Sequence, residues 1–89
     1  MQIRNAGSHV DGNAVAGLLA EVFTVDVTTM RCQCGTCGVA APLAETVVEL
    51  DDSAAIIRCR GCTHTLMTVV RADGGVRLII GSLRELVRE

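Results

Sequence analysis

Four of the five cysteines form two copies of one spacing, Cys34-Gly-Thr-Cys37 and Cys59-Arg-Gly-Cys62, with residues 38–58 between them. Two residues between thiols let one tight turn aim both sulfurs at a single ion about 2.3 Å away, and two such turns supply a complete tetrahedron. The residue types and spacing therefore predict one structural Zn²⁺ held by Cys34, Cys37, Cys59 and Cys62. Gly38 directly follows the first pair and tolerates the positive φ that turns backbone N–H groups toward the sulfurs. Thr63 holds the equivalent place after the second pair and is a weaker match.

Other chemistries use the same residues. Iron in a rubredoxin-like site takes four thiolates, but such sites carry a packed aromatic cluster, and Phe23 is the one aromatic residue here. Zinc is favoured over iron on that ground. A thioredoxin-type redox pair needs one C-x-x-C at a helix N-terminus in a βαβ unit. Disulfides are the remaining alternative. Cys32 is two residues from Cys34, too close for an easy two-thiolate turn. It reads as a strand residue beside the site, with a spare redox-sensitive thiol or an exchanging ligand as the alternative. His64, two residues after Cys62, reads as a neighbour of the site or a solvent-facing residue rather than a ligand, and His9 as a helix-entry residue.

Four thiolates close the coordination shell, whereas a catalytic zinc keeps an open position, normally three protein ligands plus water. No Ser/His/Asp spacing or paired carboxylate pattern stands out. Glu45, Glu49, Asp51 and Asp52 read as a solvated strand edge and a turn. The expectation is a protein that is not an enzyme, and no small-molecule substrate is evident.

The elements that must position the cysteines are small. With 89 residues, the chain makes one domain, and so short a chain gains from a metal staple. Hydrophobic residues make up 49% and mean hydropathy is +0.42, so the core is aliphatic. Residues 1–7 read as a flexible N-terminus. The Ser8-x-x-Asp11 spacing can cap a helix over about 11–23, with Ala14, Val15, Leu18, Leu19, Val22 and Phe23 as its apolar stripe. Gly12 and Gly17 each weaken that helix by about 1 kcal/mol. Residues 24–31 are rich in β-branched side chains and read as a strand. Alternation over 43–50 predicts another, with Ala44, Thr46, Val48 and Leu50 on one face. Asp51-Asp52-Ser53 reads as a turn, followed by strands over 54–58 and 66–71. Asp73-Gly74 predicts a type I′ hairpin that sets Val69 opposite Leu78, Met67 opposite Ile80 and Val70 opposite Arg77. Ser82-x-x-Glu85 matches a capping box and predicts a short C-terminal helix over 83–88. The fold class is a small β-rich zinc ribbon (α+β) over residues 8–89, with the ribbon over about 27–81. Its N-terminal amphipathic helix packs on antiparallel β-hairpins carrying two Cys-x-x-Cys knuckles.

The formal charge is -2, and a zinc ion on four thiolates adds about two further negative charges. That balance opposes general nucleic-acid binding, which needs a basic surface. Arg31, Arg58 and Arg60 flank the cysteine pairs, and Arg71 and Arg77 follow on the hairpin. Local attraction to a dianionic centre accounts for them, and a small nucleic-acid-binding face is the alternative, without the aromatic platforms used to stack bases. No signal peptide or membrane-spanning run is expected, so the cysteines read as metal ligands in a cytoplasmic protein. Apolar content beyond what so small a fold hides predicts a protein partner or a homodimer.

His9-Val10-Asp11-Gly12-Asn13-Ala14, Leu19 to Phe23, Cys34-x-x-Cys37-Gly38, Leu43-Ala44-Glu45 and Arg58-Cys59-x-x-Cys62 together resemble a family of small actinobacterial zinc-ribbon proteins of uncharacterised function. The likeness spans about residues 9–80. It implies metal ligation by Cys34, Cys37, Cys59 and Cys62 and brings no substrate or partner. Cys32 is an extra thiol relative to that pattern.

Overall fold

Alternating and β-branched segments dominate the sequence, and the computed structural model, which describes residues 9–88, turns them into two antiparallel sheets. Strands β1 (His9–Asp11), β4 (Val47–Leu50), β5 (Ala54–Arg58), β6 (Thr65–Ala72) and β7 (Gly75–Ile80) form one sheet in the order β1-β4-β5-β6-β7. Strands β2 (Arg31–Cys34), β3 (Ala40–Pro42) and β8 (Leu83–Val87) form the other, in the order β3-β2-β8. The expected flexible stretch, 1–7, and Ser8 of the expected cap lie outside the described residues.

The hairpin register is the expected one: Val69 pairs with Leu78, Met67 with Ile80 and Val70 with Arg77. Asp73 and Gly74 both have positive φ, 36° and 79°, as a type I′ turn requires. The Asp51 side chain accepts the Ser53 and Ala54 N–H groups, forming the turn between β4 and β5. Alternation then aims Val48, Ala55, Ile57, Met67 and Val69 at one core. Val15, Leu19, Val27, Leu43, Cys32, Cys34, Cys59 and Leu66 complete that core.

The N-terminal helix is much shorter than the expected 11–23. A 3₁₀ turn over Gly12–Val15, capped by Asp11, leads into one α-helical turn, α1 (Ala16–Leu19). Helices this short depend on packing, and packing dictates the outcome. A Cβ on Gly12 would lie 1.7 Å from the Leu43 carbonyl oxygen, so two backbones touch there. Of the predicted stripe, Val15 and Leu19 are buried, Leu18 and Phe23 pack partly against the core, and Val22 is exposed. His9, expected at a helix entry, lies in β1 opposite Glu49.

Two strand boundaries also move. The strand expected over 24–31 is a 3₁₀ turn, Val27–Thr29, capped by the Asp26 carboxylate, and β2 starts only at Arg31. The strand expected over 43–50 begins with a 3₁₀ turn, Leu43–Glu45, set by Pro42 (φ -58°) and closed by the Thr46 hydroxyl donating to the Leu43 carbonyl. Thr46 therefore lies in a turn, while Val48 and Leu50 keep their inward face.

The C-terminal helix expected over 83–88 is a strand. The reason is a β-bulge: Gln33 pairs with Glu85 and Cys34 with Leu83, leaving Arg84 as the extra residue. The bulge puts Leu83 and Leu86 on the same face, against the core. An i, i+3 apolar spacing that reads as helical is thereby satisfied in a strand. A second bulge does the same at β6: Ile57 pairs with Met67 and Arg58 with Thr65, so Leu66 and Met67 are both buried.

Candidate metal centre

Each cysteine pair sits in the turn of a strand–turn–strand unit. Cys34–Cys37 joins β2 to β3, and Cys59–Cys62 joins β5 to β6. The turns share one hydrogen-bond pattern. Cys34 N–H donates to the Val39 carbonyl and Gly38 N–H to the Cys34 carbonyl, both at 2.9 Å. Cys59 N–H donates to the His64 carbonyl and Thr63 N–H to the Cys59 carbonyl, again both at 2.9 Å. The residue after each pair is left-handed, Gly38 at φ 81° and Thr63 at φ 66°. Thr63, the poorer sequence match, thus adopts the conformation that glycine adopts in the first turn. Neither pair lies at a helix N-terminus, which removes the thioredoxin-type geometry.

The two turns face each other. A Cβ on Gly61 would lie 3.0 Å from a Val39 methyl and 3.6 Å from the sulfurs of both Cys37 and Cys59. Cys34 and Cys62 sulfurs are 3.7 Å apart, Cys37 and Cys59 sulfurs 3.6 Å, and all four lie within 4.8 Å of one another. A tetrahedron with arms of about 2.3 Å has edges of about 3.8 Å, so these crossed distances fit one ion. A disulfide needs about 2.05 Å, and all five cysteines are free thiols. The structure brings together the four cysteines named from the sequence as a possible metal site.

The cluster is graded in exposure and in charge. Cys34 and Cys59 are buried, Cys62 is half-buried and Cys37 is exposed. Backbone N–H groups of Cys37, opposed by burial and helped by Thr36, hold the Cys34 thiol down at about 6. The His64 backbone N–H lowers Cys62, but burial and the neighbouring sulfurs outweigh it and push that thiol up to about 12. Four thiols this close cannot all ionise without a cation to absorb their charge. Gly61 N–H also points at the Cys59 sulfur, at 3.3 Å.

Cys32 is no ligand of this cluster. It lies in β2 opposite Ala41 and Leu86, buried, and burial pushes its thiol up to about 11. It lines a cavity of about 10 Å³ together with Cys34, Cys59 and Leu66. His64 is exposed, with Nδ1 3.3 Å from the Cys62 sulfur, as a neighbour of the site.

The arginines do not form one free basic face. Arg58 pairs with Glu49 at 3.4 Å, Arg60 with Glu45 at 2.8 Å, and Arg71 makes a two-pronged pair with Glu21 at 3.0 and 2.6 Å. These partners lie 9, 15 and 50 residues away in sequence, a separation at which charge pattern alone does not reveal pairing. Glu45 and Glu49 are therefore ion-pair partners rather than a bare solvated edge. Arg60, inside the second cysteine turn, and Glu45, in the 3₁₀ turn after β3, both line that cavity. The C-terminal strand also braces the first turn: Gly35 N–H donates to the Ser82 carbonyl at 2.7 Å, and the Thr36 and Ser82 hydroxyls meet at 3.0 Å.

No described helix is long and apolar enough to cross a membrane. A family model described as a family of unknown function, DUF6510, matches residues 6–89. No curated protein and no solved structure gives a match.

Proposed function

The chain belongs to the DUF6510 family, whose function is unknown, and from that premise we propose that it is a non-catalytic zinc-ribbon protein of the cytoplasm whose zinc-braced sheets present an interaction surface. The observation that carries the metal reading is the crossed pair of sulfur–sulfur distances, 3.6 and 3.7 Å, from two turns of identical hydrogen-bonding. Thiolate sulfur suits Zn²⁺ as a closed tetrahedral ion. Zn²⁺ is preferred to iron because the single aromatic, Phe23, cannot supply the packed aromatic cluster of a rubredoxin-like centre. When bound, the ion contributes folding energy and neutralises thiolate charge. Four protein ligands leave no position for substrate, which is the ground for a non-catalytic role.

Ile79 and Ile80, on β7 at the edge of the five-stranded sheet, are 54% and 57% exposed. An apolar edge strand offers unpaired backbone groups and greasy side chains together. It supports a protein partner or a second copy rather than nucleic acid, since Arg58 and Arg60 beside the site and Arg71 on the hairpin are paired with glutamates.

Two measurements test this reading. Elemental analysis of protein purified without added metal is expected to find one zinc per chain; iron, or no metal, refutes the metal assignment. Sedimentation of wild type and Ile80→Arg is expected to show a dimer, or a co-purifying protein, that the substitution removes. A wild-type monomer with no companion protein at micromolar concentration refutes the interaction role.

A further inference from the structure

A four-cysteine site need not be equally guarded on all sides, and this one is not. Cys34 and Cys59 are buried, at 1% and 3% exposure, while Cys37 lies exposed. The sulfurs also differ in their donors. Gly61 N–H donates to the Cys59 sulfur at 3.3 Å, and the His64 ring Nδ1 lies 3.3 Å from the Cys62 sulfur. Hydrogen bonds of this kind draw charge from a thiolate and blunt it as a nucleophile. The Cys37 sulfur instead faces another sulfur, Cys59 at 3.6 Å. Its flank is open as well: a side chain at Gly38 would meet nothing within 4 Å.

We infer that Cys37 is the reactive corner of the site, modified first by hydroperoxides, and that its oxidation opens the metal centre. The inference rests on the metal-bound reading above, because only a bound cation keeps the thiolates charged together. The Cys37 thiolate attacks the hydroperoxide: an S–O bond forms, the O–O bond breaks, and the leaving oxygen departs as hydroxide or alkoxide and takes a proton from water. The Cys59 thiolate then displaces hydroxide from the sulfenic sulfur, closing a Cys37–Cys59 disulfide. Over both steps the two sulfurs lose two electrons and the peroxide gains two. Two thiolates remain, too few to hold the ion, and the two turns lose the brace that holds them face to face. The fifth thiol takes no part: Cys32 is buried in β2.

The test uses the full chain, unsubstituted, after its metal content has been measured. Hydrogen peroxide is added at about one equivalent with a cyclic diketone trap for sulfenic acid. Peptide mass spectrometry follows each cysteine while a chromogenic chelator follows metal release. The expected result is an initial labelling rate at Cys37 about tenfold above that at Cys34 or Cys59, metal release in step with it, and a Cys37–Cys59 disulfide when the trap is omitted. A Cys32→Ser variant is expected to show the same rates. First or equal labelling at any other cysteine, metal release before Cys37 modification, or slowing in Cys32→Ser each overturns the inference. A chain isolated without metal defeats the metal reading instead, and the labelling order still decides whether Cys37 is the reactive corner.

Discussion

The two cysteine turns make opposite use of one backbone conformation, and that opposition fixes the sign of two substitutions. Gly38 sits at φ 81° and Thr63 at φ 66°, each directly after the second cysteine of its pair. A left-handed residue other than glycine costs about 1–2 kcal/mol. In Gly38→Ala the added Cβ meets nothing within 4 Å, so the whole cost is conformational. Alanine recovers about 0.5–1 kcal/mol because its unfolded chain has less freedom to lose. The net expectation is destabilisation by about 0.5–1 kcal/mol. Thr63→Gly reverses the terms: it relieves about 1–2 kcal/mol of left-handed cost and adds about 0.5–1 kcal/mol of glycine entropy. It also removes the exposed hydroxyl contact to the Cys62 carbonyl, worth about 0.5 kcal/mol. Its net expectation is therefore neutral to stabilising by about 0.5 kcal/mol. Urea unfolding of both variants in saturating zinc is the assay, since excess metal keeps the linkage term constant. About 1 kcal/mol moves the midpoint of a domain this size by roughly 4–8 °C in a thermal scan. A Gly38→Ala variant that is more stable than wild type refutes the reasoning, because stabilisation is what Gly→Ala gives at a right-handed position.

Three further substitutions separate packing from coordination and charge. Gly12→Ala is expected to lose more than about 3 kcal/mol, since its Cβ would overlap the Leu43 carbonyl; urea unfolding near wild type would show the two backbones free to part. Cys32→Ser is expected to keep one metal per chain yet lose about 1–3 kcal/mol by burying a hydroxyl among apolar neighbours, with elemental analysis and unfolding reading the two effects separately. The Arg71 hydrogen bond, opposed by slight burial and assisted by charge, holds the Glu21 carboxyl below its usual 4.5. Its contribution is thus present above the ordinary carboxylate range and fades as pH falls through the lowered value. Stability measured from pH 6 to pH 3 is expected to fall slightly less in Arg71→Ala than in wild type, and identical curves would mean the pair is fully screened.

The parts of this fold legible in sequence are those where local chemistry and tertiary placement agree. The Asp73-Gly74 turn fixed its own register, and the paired spacing of Cys34, Cys37, Cys59 and Cys62 identified the cluster. The misread parts are those where long-range contacts override a local pattern. Leu83 and Leu86 are spaced as on a helix, and Ser82 and Glu85 form a capping box by type, yet backbone pairing with β2 makes a bulged strand. The stripe from Ala14 to Phe23 is helical by period, but only one α-helical turn forms, after a 3₁₀ turn in which Gly12 is pressed against Leu43. Neither a bulge nor a backbone contact leaves a mark in the pattern of apolar residues. The arginine–glutamate pairs were hidden for the same reason: Glu21, two residues past α1, meets Arg71 of β6 only in the folded chain, 50 residues apart in sequence.

The same dependence on long-range contacts joins the metal centre to the C-terminal strand. The first cysteine turn connects β2 to β3, in the smaller sheet, while the second connects β5 to β6, in the larger. A bound ion therefore couples two sheets that do not share a strand. The β7–β8 connection also ties the sheets at this end of the molecule: Gly81 and Ser82 donate to Leu66 and Thr65, and the Ser82 carbonyl accepts from Gly35. Gly81 has no room for a side chain, since a Cβ would lie 2.6 Å from the Thr65 carbonyl. Loss of the ion would leave that connection, the chain running from β3 through Leu43–Glu45 into β4, and the shared core in which Cys32, Cys34, Leu83 and Leu86 pack with Ile57, Cys59, Leu66 and Met67 to hold the cysteine turns together.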